Sequence, residues 1–127
     1  MPNLPASSGG DEASASLRRT GFSAVVEPGE VAVVRLHGEL DMATAPLLDD
    51  TLTSVLGDGA VEVVVDLASL TFLDSTGISV LLGAGQRAGE VGTGFRVRAP
   101  NRPVRKALHL TGVEEILGLE PDRPLAT

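Results

Sequence analysis

Apolar positions in this chain fall into short blocks whose spacing alternates between a period of two and one of about 3.6. Phe22 to Val26 and Val31 to His37 are β-rich runs with the turn signal Pro28-Gly29 between them, which predicts an antiparallel hairpin. Thr44 then reads as an N-cap, with Pro46 tolerated in the first helical turn. Leu48, Leu52, Val55 and Leu56 follow at helical spacing, and Gly57 and Gly59 close the segment. Val61 to Leu67 is almost continuously apolar, the pattern of a central strand buried on both faces. Leu70 to Asp74 reads as a short loop. Ser75 opens a second helix whose stripe, Ile78, Leu81 and Leu82, dissolves at Gly83, Gly85 and Gly89. Phe95 to Arg98 is a short strand. Asn101 caps a third helix, with Pro103 in its first turn, Val104, Ala107 and Leu108 on its apolar side and Gly112 at its end. Residues 114–119 fit either a final strand or a short helix.

This β, β, α, β, α, β, α order predicts one α/β domain with a mixed β-sheet and helices packed on it, over residues 21–120. Residues 1–20 are rich in Ser, Ala and Gly and are expected to be a disordered N-terminal tail. Residues 121–127 are expected to be a loose C-terminal end. A right-handed crossover through the first helix makes the second and third strands parallel. Gly38-Glu39-Leu40-Asp41 and Leu73-Asp74-Ser75-Thr76-Gly77 then arrive at the same edge of the sheet, the carboxyl end, where open α/β sheets place their sites.

Composition narrows the choice of function. Hydrophobic residues are 43% of the 127, enough for a core, but aromatic residues are only 2%. That leaves little for base or sugar stacking. The net charge of −7 repels phosphate backbones, so direct nucleic-acid binding is not expected. No cysteine is present, which excludes disulfides, thiol catalysis and Cys-ligated metals. His37 and His109 are the only histidines and read as ordinary surface or boundary residues. No stretch is long and apolar enough for a membrane helix, and the N-terminus lacks the pattern of a secretory signal, so a cytoplasmic protein is expected.

The most informative stretch is Leu70-Thr71-Phe72-Leu73-Asp74-Ser75-Thr76-Gly77. One reading is helix capping: Asp or Ser satisfies free amides, and Gly permits a tight approach. The other takes the position of Ser75 into account, since a hydroxyl at a helix N-terminus lies where an anion such as phosphate is tolerated. Enzyme chemistry is less well supplied. There is no Gly-x-Ser-x-Gly elbow and no Gly-x-x-x-x-Gly-Lys loop, and Lys106 is the only lysine. Asp41, Asp66 and Asp74 could gather around magnesium for phosphoryl transfer, but no catalytic residue, resident metal or cofactor is expected. Arg96, Arg98, Arg102, Arg105 and Lys106 form a basic cluster, with no acid from Val91 to Val113. It reads as a solvated strand edge and helix face, or as a docking patch for an acidic partner surface.

Three segments carry a resemblance: Gly38-Glu39-Leu40-Asp41-Met42-Ala43-Thr44-Ala45-Pro46, Val64-Val65-Asp66-Leu67, and Leu70 to Gly77. Together with Pro103 to Leu108 and Leu110 to Val113, they resemble the bacterial anti-sigma factor antagonists, whose fold is the STAS domain (sulfate transporter and anti-sigma antagonist). The resemblance covers about residues 21–119. It implies a partner switch. The unphosphorylated antagonist binds an anti-sigma factor that is also a serine kinase, and so frees the sigma factor. The kinase then phosphorylates the Ser after the motif Asp, here Ser75, and a separate serine phosphatase resets it. By the same resemblance Asp41, Asp74, Ser75, Thr76 and Gly77 form the partner-binding set. A constitutive STAS scaffold is the alternative within the same fold.

Overall fold

The computed structural model describes residues 21–98, 101–113 and 115–118. The tail expected over 1–20 and the loose end expected over 121–127 lie outside the described residues. Four strands, β1 (Ser23–Glu27), β2 (Val31–Leu40), β3 (Glu62–Leu73) and β4 (Gly94–Arg98), form one sheet in the order β1-β2-β3-β4. Three helices, α1 (Ala45–Gly57), α2 (Ser75–Glu90) and α3 (Arg102–Thr111), connect and cover it. The hairpin β1–β2 is antiparallel, while β2–β3 and β3–β4 are parallel, so the sheet is mixed.

One face of the sheet and the three helices share a continuous core. Ala32, Val34 and Leu36 from β2, Val63, Val65 and Leu67 from β3 and Val97 from β4 meet Leu48 and Leu52 of α1, Ile78 and Leu81 of α2, and Val104 and Leu108 of α3. The opposite face carries charge in register. Val33, Val64 and Arg96 form one row, and Arg35, Asp66 and Arg98 form the next. Glu27 of β1 pairs with Arg35, which lies 3.7 Å from Asp66, and Arg98 reaches Asp66 at the same 3.7 Å. Arg96 pairs with Glu62 at 2.8 Å. Half-exposed pairs of this kind contribute about 0–1 kcal/mol each, so the apolar core dominates stability and the ion pairs favour this register.

Three expectations change. The loop expected over Leu70 to Asp74 is strand as far as Leu73. The cause is two register shifts between β2 and β3, each giving β3 one extra residue. The inward residues are therefore Val63, Val65, Leu67, Leu70 and Leu73, and their spacing widens from two to three, which breaks the strand pattern in the sequence. Gly38 sits at the second shift with φ +92°, and a Cβ there would lie 1.7 Å from the Gly21 carbonyl oxygen. Only glycine fits that close backbone crossing.

The second helix does not dissolve at Gly83, Gly85 and Gly89 but continues to Glu90. A Cβ on Gly85 would come within 3.2 Å of the Phe95 ring, so this glycine lets α2 pack closely on β4. Finally, residues 115–118 are neither strand nor extended helix. They form turns in which Leu117 N donates to Val113 O at 3.0 Å, and the buried Leu117 side chain completes the core.

Candidate functional site

The parallel register brings the ends of β2 and β3 level. Leu40 pairs with Leu73, and Asp74 N donates to Leu40 O at 3.2 Å. Each strand then hands over to a helix by way of an aspartate, and the two junctions stand side by side at the carboxyl edge of the sheet.

At the β2 end, Asp41 folds its own loop. Its Oδ1 accepts from Ala43 N at 2.9 Å and Thr44 N at 3.2 Å, and its carbonyl accepts from Ala45 N at 2.8 Å. Thr44 precedes α1 as expected, but its hydroxyl makes no capping bond to that helix. Instead Thr44 Oγ1 donates to Glu39 O at 2.9 Å and accepts from Asp41 N at 2.9 Å. Thr44 is 2% exposed, the one buried polar or charged side chain among the described residues. Its hydroxyl closes the turn from inside. Sequence alone assigns Thr44 a cap because the residue type fits. The tertiary fold turns its hydroxyl back toward the end of the strand.

At the β3 end, Asp74 is the N-cap of α2, with extended backbone, and its Oδ1 accepts from Gly77 N at 3.0 Å. That bond satisfies one of the free amides of the first turn. Ser75 is the first residue of the helix and is exposed; Thr76 is half-buried. Gly77 is buried, and a Cβ there would lie 2.7 Å from Leu40 Cγ and 2.8 Å from Leu73 Cδ1. The Asp-Ser-Thr-Gly tetrapeptide thus divides its labour. Asp74 caps, Gly77 seats the helix on the two strand ends, and Ser75 is left at the surface. An added anion on Ser75 would stand at the positive end of a helix of 16 residues.

Asp41, Asp74, Ser75, Thr76 and Gly77 therefore come together at one edge. Asp66 does not join them. It lies seven residues before Leu73 on β3, between Arg35 and Arg98. The proposed gathering of Asp41, Asp66 and Asp74 around magnesium is not formed, because the strand carries Asp66 back to mid-sheet. Among the described residues no group of three or more His, Asp or Glu is placed to hold a metal ion.

Two exposed apolar side chains share the edge and were not among the sequence candidates. Met42, 75% exposed, tops the Asp41–Thr44 turn, and Phe72, 48% exposed, precedes Leu73 on β3. Alternation around buried Leu73 would have marked Phe72 as outward-facing, had the end of β3 been read as strand. No helix among the described residues is long and apolar enough to cross a membrane.

Comparison with known proteins gives a consistent set of matches. The family model described as Mlab, STAS domain, matches residues 23–119. The anti-sigma-F factor antagonist RsfB of Mycobacterium tuberculosis is 30% identical over 95 residues, which cover 75% of this chain and 77% of that protein. The anti-sigma-B factor antagonist of Staphylococcus aureus is 25% identical over 84 residues, covering 66% of this chain and 78% of that one. The crystal structure of an anti-sigma factor antagonist from Mycobacterium paratuberculosis superimposes with a TM-score of 0.73 at 35% identity, covering 80% of this chain and 86% of that one.

Proposed function

The chain belongs to the STAS domain family, and from that premise we propose that it is an anti-sigma factor antagonist, a binding protein rather than an enzyme, acting in the cytoplasm. In its unphosphorylated form it binds an anti-sigma factor that is a serine kinase and so frees the sigma factor. Phosphorylation of Ser75 by that kinase ends binding, and a serine phosphatase restores it. The observation that carries this reading is the exposed Ser75 hydroxyl at the first position of α2, next to the Asp74 cap, at the carboxyl edge of the parallel strands.

Physical chemistry supports a switch at this position. A phosphoserine carries about −1.5 to −2 charges at neutral pH. The start of α2 offsets part of that charge through the helix dipole, and the Asp74 cap and the seat of Gly77 do not depend on the Ser75 hydroxyl. The fold therefore tolerates the modification. A partner docked over Ser75 and Thr76, with Asp41, Asp74 and Gly77 shaping the surface from beneath, does not. It meets a new anion beside two carboxylates, and an unpaired charge at a closing interface is costly to desolvate.

Phosphopeptide mapping after incubation with the cognate kinase and ATP tests the proposal. All phosphate is expected on Ser75. Ser75→Ala should bind the kinase and remain unmodified, while Ser75→Glu should fold normally and bind at least about a hundredfold more weakly. Phosphate on Thr76, or undiminished binding by Ser75→Glu, would overturn the proposal.

A further inference from the structure

The basic segment between Val91 and Val113 supplies none of the candidate residues of the Ser75 edge, and the structure divides it in two. Arg96 and Arg98 of β4 are engaged on the sheet by Glu62 and Asp66. Arg102, Arg105 and Lys106 stand on α3. That helix is fixed at both ends: Asn101 Oδ1 accepts from Val104 N at 3.1 Å, the Asn101 side-chain amide donates to Leu70 O, and Gly112 closes the helix with φ +70°. Val104 and Leu108 bury one side of it. On the outer side, Arg102, Lys106 and Leu110 follow one another at i, i+4 and i+8, and all three are exposed. Arg105 is half-buried beside them. No ion pair among the described residues engages Arg102, Arg105 or Lys106.

This arrangement works against the helix that bears it. The first turn of α3 holds no acid, and Arg102 stands there at the positive end of the dipole. Arg102 and Lys106 are like charges at i, i+4, which repel. A chain with 17 acidic and 10 basic residues could have matched charge here in the ordinary way. It places none of those acids from Val91 to Val113, and it adds Leu110, 73% exposed, to the end of the stripe. Local rules are broken on this face while both caps obey them, the mark of a surface shaped for something outside the domain.

We propose that the Arg102–Lys106–Leu110 stripe of α3 docks an acidic protein segment bearing an apolar side chain. The cations supply charge complementarity, and Leu110 supplies a contact that only a partner with an apolar group can use. A nucleic acid would meet a chain of net charge −7, its phosphate backbone offers nothing to Leu110, and α3 has no Phe, Tyr or Trp for stacking. A bilayer needs the apolar side of the helix, which is buried in the core.

The test is fluorescence anisotropy of a labelled Glu-rich peptide with a single central Leu, set against a DNA duplex of equal charge at the same ionic strength. The intact protein should bind the peptide saturably and the duplex more weakly. Arg102→Glu with Lys106→Glu should weaken peptide binding at least about tenfold, and Leu110→Ala by about threefold. The double variant should melt no lower than the parent, because Glu in place of Arg102 at the helix start suits the dipole and the i, i+4 pair is like-charged in both proteins. The proposal is overturned by any of four results: no saturable peptide binding, equal binding by the double variant, tighter binding of the duplex, or a lower melting temperature of the double variant. The last would assign the stripe to folding.

Discussion

Two strand-to-helix junctions lie side by side in this protein, built from nearly the same residue types, and they do opposite things with them. After β2, Asp41 and Thr44 turn inward. The carboxylate holds Ala43 N and Thr44 N, and the buried hydroxyl bonds to Glu39 O. After β3, Asp74 bonds forward to Gly77 N, and the next residue, Ser75, stays at the surface. Both junctions contain an aspartate and a hydroxyl within a few residues of a strand end. What separates them is the direction of the aspartate bond. An aspartate that folds its own loop draws the hydroxyl inside with it. An aspartate that caps the following helix leaves the hydroxyl at N1, at the surface. A hydroxyl needed for structure and one free for modification can therefore be told apart by geometry, though not by residue type.

The comparison can be broken by mutation. The largest stability effect is expected at Thr44. Thr44→Val keeps the shape and removes a buried hydroxyl that serves both Glu39 O and Asp41 N, leaving those groups unsatisfied. A loss of about 2 kcal/mol is expected in urea unfolding, read as a lower midpoint at unchanged slope. A loss below about 0.5 kcal/mol would mean that water replaces the hydroxyl and that the junctions differ less than proposed. Asp74→Ala should come next. It removes the α2 cap at a cost of about 1 kcal/mol, and Asp74→Asn should recover most of that, because an amide oxygen can still accept from Gly77 N. The smallest effect is expected at the residue of greatest functional interest. Ser75→Ala should change stability by less than about 0.5 kcal/mol. A clear destabilisation would show Ser75 to be structural like Thr44, and would undo the contrast.

The hairpin, the parallel crossover and the starts of the helices follow from apolar spacing and capping residues, which act over a few neighbouring positions. Asn101 capping α3 and Gly112 closing it are local chemistry, and the fold keeps both. The end of β3 was not legible. The strand there adds one residue at each of two register shifts against β2, and that offset exists only once the two strands are paired. The glycines of α2 misled for a related reason. Glycine weakens an isolated helix, yet Gly85 lets α2 approach the Phe95 ring to within 3.2 Å of where a Cβ would stand, and Ile78, Leu81 and Ala84 of the same helix are buried against the core. Packing against those side chains outweighs the intrinsic preference.

The sequence by itself determined the class of fold, the order of its elements and the edge at which the two aspartate junctions meet. Those depend on periodicity and on the right-handedness of a β-α-β crossover, which any chain of L-residues with this pattern obeys. It also marked Ser75 as a hydroxyl at a helix start. Only the tertiary structure decided that Thr44 is buried while Ser75 is exposed, that Asp66 belongs to an ion-pair row and not to the edge, and that of five clustered cations two are neutralised on the sheet and three stand on α3. Each of those outcomes depends on which residues from distant parts of the chain become neighbours. Burial and charge pairing are properties of that neighbourhood, and no single stretch of sequence contains it.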